Sequence, residues 1–231
     1  MTVTIAPWGD SAVTVEFEER IDQAVNARVV ALAEAIERTA VGGVRDVVPT
    51  FRSVTVYFDP LKTDVAGLVK QLEVSAGELG TIPSNPPRVL RIPVCYGGEY
   101  GPDLRAVAAF AGANESEVIA LHVAAIYRVF MLGFMPGFAY MASVHPRIAI
   151  PRRTSPRVTV PAGSVAIGAS QTGIYPSDSP GGWQLVGKTP VKPYDPDRRE
   201  PFLFKAGDAV RFYAIEPAEY EQALRMAGDD R

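Results

Sequence analysis

Between Phe130 and Trp183 the chain concentrates glycine, proline and aromatic residues more densely than anywhere else, and this stretch limits what the whole can fold into. It runs FMLGFMPGFAYM, then PRRTSPRVTVPAGSVAIGASQTGIYPSDSPGG, and ends on Trp183. A long helix is excluded there, because proline lacks a backbone donor and glycine is entropically costly in a helix interior. Short strands joined by tight turns satisfy the same composition. Two runs have the alternation and β-branching of strands, Arg157 to Val160 and Ser164 to Ile167. Around them stand polar side chains able to orient a small molecule: Tyr140, Arg152, Arg153, Arg157, Gln171, Thr172, Tyr175, Asp178 and Ser179. Loops held by a rigid sheet are the usual place for binding chemistry.

The segments before this stretch follow simpler periods. VTIAP and AVTVEF read as strands separated by a turn at Trp8-Gly9-Asp10-Ser11. Ile21, Val25, Val29, Leu32 and Ile36 recur at helical spacing, which predicts an amphipathic helix from Ile21 to Arg38 with Asp22 in its first turn. Gly42-Gly43 ends it, and VRDVV and SVTVYF follow as strands. A second helix is predicted from Thr63 to Leu79, capped by Thr63 or Asp64. Strand, strand, helix, strand, strand, helix describes a small α+β layer. Thr81-Ile-Pro-Ser-Asn-Pro-Pro87 then breaks every period, which divides the chain into residues 1–84 and 85–231.

In the second part VLRIPVCY reads as a strand, and Asp103 to Ala111 and Ser116 to Tyr127 as helices. Phe202 to Tyr213 reads as a hairpin turning at Ala206-Gly207-Asp208, and Pro217 to Met226 as a closing helix with proline in its first turn. Many short strands and frequent turns predict a barrel or sandwich.

With 231 residues, 47% hydrophobic and 21% charged, there is material for two modest domains with real cores. A net charge of −3 without a long basic run argues against nucleic acid as a partner. The single cysteine, Cys95, excludes an intrachain disulfide and a thiolate metal cage. No leader-like start and no apolar run of about 20 residues is present, so a cytoplasmic protein with no membrane span is expected.

Gly182-Trp-Gln-Leu-Val-Gly-Lys-Thr189 matches the phosphate-loop pattern letter for letter. That motif needs a strand before it and a helix after it. Here Ser-Pro-Gly precedes it and Pro190 and Pro193 follow, so WQLVG reads as a strand rising out of a turn. His122 and His145 have no ligand-spaced companions, and no metal site is expected. His122 on a helix face is either a half-buried structural histidine or a general acid-base group. Nothing resembles a nucleophilic serine elbow. Arg152, Arg153 and Arg157 could clamp a carboxylate or phosphate, or could be solvated sheet-edge charges. Phe134, Phe138, Tyr140, Tyr175 and Trp183 read as core or pocket wall.

The run GFMPGFAYM, the long motif from Pro151 to Pro190, the later Ala206-Gly207-Asp208 and the early W-G-D-x-A together resemble the allophanate hydrolase subunit 1 family, over most of the chain. One departure is Lys188, where arginine is the expected residue. That family includes a component of the bacterial 5-oxoprolinase (its B component), an inhibitor of a sporulation histidine kinase, and part of the carboxyltransferase region of urea carboxylase. The resemblance implies an α+β fold: a small N-terminal α+β domain followed by a cyclophilin-like β-barrel. It also implies partners, namely a larger homologous barrel subunit of the oxoprolinase C type and a third subunit of the A type. With them the activity would be ATP-dependent opening of 5-oxoproline to L-glutamate. ATP, with Mg2+ as its counter-ion, would be shared with or bound by the partner. A carboxyltransferase or allophanate-hydrolase type of amide chemistry, and kinase inhibition without turnover, are the competing implications.

Activating a lactam carbonyl needs cations and hydrogen-bond donors around the developing charge. His122, Arg157 and Gln171 are the candidates for catalytic roles. Tyr140, Arg152, Thr172, Tyr175, Ser179, Gly181, Gly182 and Trp183 are the candidates for substrate binding.

Overall fold

The apolar periods of the first 80 residues resolve into a sheet and two helices. In the computed structural model, which describes residues 3–79 and 87–229, the chain divides into two units, Met1–Pro86 and Pro87–Arg231. The proline-rich boundary segment expected from the sequence lies, from Thr81 to Pro86, outside the described residues.

The first unit contains β1 (Thr4–Pro7), β2 (Ala12–Glu16), α1 (Gln23–Thr39), β3 (Val44–Pro49), β4 (Ser53–Phe58) and α2 (Val65–Glu78). Its strands form an antiparallel sheet in the order β1-β2-β4-β3. Val13 and Val15 on β2 and Val54, Val56 and Phe58 on β4 share a core with Val25, Val29, Leu32 and Ile36 of α1 and Leu68 and Leu72 of α2. Asp22 stands just before α1 and caps it, accepting from the Ala24 and Val25 amides at 2.8 and 3.2 Å. At α2 the N-cap is Asp64, but its side chain makes no capping bond, and Thr63 donates instead to the Gly42 carbonyl.

The second unit contains β5 (Val89–Tyr96), α3 (Leu104–Ala111), α4 (Glu115–Ala124), β6 (Tyr127–Leu132), β7 (Ala139–Ala142), β8 (Arg157–Val160), β9 (Ser164–Gly168), β10 (Gln171–Ile174), β11 (Ser179–Gly181), β12 (Gln184–Lys188), β13 (Ala209–Ala214) and α5 (Pro217–Asp229). Seven of these strands close into a barrel in the order β10-β7-β6-β13-β5-β12-β9, and β8 and β11 form a separate two-stranded ribbon. Ile92, Val94, Val129, Met141, Ile167, Ile174, Val210 and Phe212 fill the barrel core. Closure removes the free edges that an open sheet would present.

Two sequence expectations are corrected here. The helix predicted from Ser116 to Tyr127 ends at Ala124. Asn114 and Glu117 form a capping box at its start. At its end the buried Tyr127 hydroxyl donates to the His122 carbonyl at 2.8 Å, and Tyr127 opens β6. The hairpin predicted from Phe202 to Tyr213 does not form. Phe202 bridges to Tyr194, while β13 runs parallel to β5 and antiparallel to β6. The turn itself is real, but Asp208 accepts from the Lys205 amide at 2.8 Å and from Arg88 at 2.6 Å. Those bonds feed the chain into the barrel wall instead of back on itself.

Candidate functional site

Every residue of β9 is buried, because its two faces meet different cores. Val165 and Ile167 point into the barrel, while Ala166 belongs to a second cluster outside it with Phe138, Val160, Tyr175, Trp183 and Leu185. The rings pack edge to face, Phe138 against Tyr140, Tyr175 and Trp183 at centroid separations of 4.9, 5.3 and 5.6 Å. They lie this close to the barrel wall because Gly168 and Gly173 present no side chain. A Cβ on Gly168 would stand 2.6 Å from the Trp183 ring, and one on Gly173 would stand 3.1 Å from Phe138. Gly168→Ala is accordingly expected to displace Trp183. We expect a loss of about 1–3 kcal/mol of stability from such overpacking, together with collapse of the near-ultraviolet circular dichroism of the aromatic cluster; an unchanged spectrum would refute the packing account.

This aromatic layer floors a cleft of about 310 Å³ lined by Phe134, Phe138, Tyr140, Arg152, Arg153, Pro156, Tyr175, Pro180, Gly181, Gly182 and Trp183. Phe134 forms part of its rim, 61% exposed and held at a backbone φ of 69°. A positive φ at a bulky residue is uncommon and clusters at ligand sites. Burial pushes the Tyr140 and Tyr175 phenols up, against smaller lowering effects of Arg152 and, at Tyr175, of the Trp183 backbone amide. Both are therefore neutral at physiological pH.

The arginines divide into two kinds. Arg157 donates to Asp103 Oδ1 at 2.7 Å, and Arg153 approaches the same oxygen at 3.5 Å. Asp103 is buried, and its Oδ2 accepts from the Leu185 amide at 2.7 Å. Arg152 is exposed, and its guanidinium lies over the Trp183 ring at 5.6 Å with no carboxylate partner among the described residues. The Arg153 amide also donates to the Gly182 carbonyl at 2.7 Å, and Gln184 Nε2 to the Pro151 carbonyl at 3.2 Å, so the arginine loop is fastened to the segment from Gly182 to Gln184.

Of the residues singled out from the sequence, the fold therefore brings Phe134, Phe138, Tyr140, Arg152, Arg153, Tyr175, Gly181, Gly182 and Trp183 to one cleft. Gln171 stands on the outer face of β10, two residues before Gly173, but does not line it. Ser179 is buried at the start of β11 and pairs with Val160. Arg157 is turned away into its ion pair with Asp103. Asp178 is a turn residue, accepting from the Ala162 amide at 2.7 Å.

His122 and Thr172 need correction, since both are 0% exposed and belong to the barrel interior. The Tyr96 hydroxyl bonds His122 Nδ1 at 2.7 Å, His122 Nε2 bonds Thr172 Oγ1 at 3.0 Å, and Thr172 donates to the Ala166 carbonyl at 3.0 Å. Because that last donation uses the threonine hydrogen, His122 Nε2 donates to Thr172, and in the neutral imidazole that burial favours Nδ1 then accepts from the Tyr96 hydroxyl. Burial lowers the His122 pKa to about 3. A group so placed neither reaches a substrate nor carries a proton charge near neutrality. Sequence reasoning missed Asp103 and Tyr96: Asp103 looks like an ordinary helix cap, and its arginine partner lies 54 positions away.

The phosphate-loop match is absorbed into the barrel. Gln184 to Lys188 is β12, paired with β9 on one side and β5 on the other, and no helix follows it. Among the described residues no group of three His, Cys, Asp or Glu could hold a metal ion, and no helix is long and apolar enough to cross a membrane.

Residues 3–204 match the family model described as carboxyltransferase domain, subdomain C and D. The chain is 40% identical to the B component of 5-oxoprolinase from Bacillus subtilis over 222 residues, covering 92% of each. Among solved structures, the protein TTHA0988 superposes with a TM-score of 0.80 at 40% identity, over 89% of this chain and 40% of that one. Urea carboxylase of Kluyveromyces lactis shares the fold at a TM-score of 0.77 and 23% identity, over 96% of this chain and 22% of its own length.

Proposed function

This chain belongs to the carboxyltransferase-domain family, subdomains C and D, and from that premise we propose that it is the B-type component of a heteromeric, cytoplasmic 5-oxoprolinase. Its complex opens 5-oxoproline to L-glutamate at the expense of ATP, together with a larger homologous barrel subunit and a third subunit. The observation that carries this reading is the match to a 5-oxoprolinase component over nearly the full length of both chains. The aromatic cleft is the substrate site, because it is the concave, mostly apolar pocket with convergent polar groups that small-molecule sites share.

The residues of this chain do not fit a triphosphate. Most of the phosphate-loop match is the strand β12, paired with β9 and β5, with the Leu185 amide taken by Asp103 and the Thr189 amide by the Gly163 carbonyl, and the cleft offers one guanidinium without an ionic partner to a ligand carrying several negative charges. ATP and Mg2+ are accordingly assigned to the partner subunits. This chain's own contribution is to bind the amide, orient it and exclude water from its ring.

The test is to assemble the three subunits and follow ADP release with and without 5-oxoproline, omitting one subunit at a time. Release that requires both 5-oxoproline and this chain is the expected result. Indifference to 5-oxoproline would overturn the assignment, and dependence on biotin and urea would place the chain with the urea carboxylases instead.

A further inference from the structure

The cleft carries an excess of positive charge. Arg152 and Arg153 line it, Arg157 stands behind Arg153 on the same carboxylate, Asp103, and no Asp or Glu lines the cavity. Two of the three are committed to that carboxylate, which leaves Arg152 as the one lining cation among the described residues without an ionic partner. Its guanidinium is not loose: it rests on the face of Trp183, so the plane that would meet a ligand is held in position. Beside it the walls are rings, with Phe134 and Phe138 on the apolar side and Tyr140 and Tyr175 as neutral phenols that add no opposing charge. A volume of about 310 Å³ is at the small end of ligand pockets, which begin at about 300 Å³.

We infer that the cleft is a recognition site for a small planar amide bearing a single carboxylate, in which Arg152 takes the carboxylate and the rings around Trp183 take the flat amide body. A neutral amide would cover the Arg152 guanidinium without offering it a counter-charge. A phosphate or nucleotide would bring more charge than one arginine can meet. The inference rests on the proposal that this cleft is the substrate site, and it adds what that proposal lacks: a reason for the protein to prefer an acidic lactam over urea.

Trp183 reports on the site directly. In a Trp8→Phe background it is the only tryptophan left, since the chain has two. Titration of the full chain with 5-oxoproline should change its fluorescence saturably. The same lactam without the carboxylate, 2-pyrrolidinone, should bind about ten- to a hundredfold more weakly, the factor that a lost charge-assisted hydrogen bond implies. Arg152→Gln should bring 5-oxoproline down to the level of 2-pyrrolidinone while leaving 2-pyrrolidinone unaffected, and Arg152→Lys should retain part of the difference. Equal binding of 5-oxoproline by the wild type and Arg152→Gln overturns the inference, as does displacement of the lactam by ATP or by urea at comparable concentrations.

The assembled complex supplies a second readout. If the chain alone gives no saturable change, KM for 5-oxoproline in the complex decides, with at least a tenfold rise expected for Arg152→Gln. An unchanged KM in a complex that turns over 5-oxoproline removes the inference and leaves the proposed function standing. Arg152-dependent binding of acidic lactams with no 5-oxoproline-dependent ADP release does the reverse.

Discussion

Replacing Asp103 with alanine is expected to destabilise the barrel unit by about 3–5 kcal/mol, the range for removing one partner of a buried charge pair. The carboxylate is 6% exposed and answers several donors at once: Arg157 at 2.7 Å, Arg153 at 3.5 Å and the Leu185 amide at 2.7 Å. Without it a partly buried guanidinium and a buried backbone donor are left unpaired, and the desolvation already suffered by both is no longer offset. The consequence reaches the cleft, because Arg153 and Arg157 flank the loop that presents Arg152. Urea denaturation read through Trp183 measures the loss. Removing the second charge as well, in Asp103→Ala with Arg157→Met, should recover at least about 1 kcal/mol relative to the sum of the single changes, since the uncompensated charge is then gone. A loss below about 1 kcal/mol for Asp103→Ala, or strict additivity in the double variant, would contradict the account.

The difference between Asp103 and Arg152 shows which parts of this molecule its sequence discloses. Strands announced by β-branched alternation, such as Arg157 to Val160, and helices announced by a 3.6-residue stripe, such as α1, appear where the periods place them. Those signals are local, and local geometry obeys them. Clustering Tyr140, Arg152, Tyr175 and Trp183 in one cleft was also legible, because the glycines and prolines between them leave only short strands and turns that return to one place. What the sequence did not disclose depends on pairings between distant segments. Arg152, Arg153 and Arg157 are alike as letters, and only the position of Asp103 on the entry to α3 decides that two are structural and one is available. The end of α4 is a similar case, set by a tertiary bond from Tyr127. So is the fate of the residues after Phe202, where a correctly foreseen turn leads into a parallel pairing that no local period encodes. His122 has the residue type of a catalytic group and lies on a helix face, and both facts are silent on whether that face meets water or the inside of a barrel.

The buried His122 makes the stability of the barrel unit depend on pH in a window that few other groups share. Its imidazole titrates at about 3 in the fold, against 6.5 for the ordinary side chain, because burial penalises the charged form. Between those values the unfolded chain binds a proton that the folded chain refuses, so acid favours unfolding. The stabilisation is complete above pH 6.5 and is lost progressively as the pH falls toward 3, at about 1.4 kcal/mol per pH unit for one proton. The carboxylates held below their ordinary range by local hydrogen bonds, Glu18, Asp22 and Asp59, lie in the first unit and titrate below about pH 4.5. Between pH 6.5 and 5 we expect the buried His122 imidazole to contribute a loss of about 2 kcal/mol. His122→Phe keeps the stacking on Phe212 but deprives Tyr96 and Thr172 of their partner. It should cost about 1–3 kcal/mol at pH 7 and remove that contribution. Urea midpoints measured at several pH values for both proteins provide the check. A slope undiminished in His122→Phe would assign the titration to another group, and a flat wild-type profile between pH 6.5 and 5 would mean that the imidazole meets solvent.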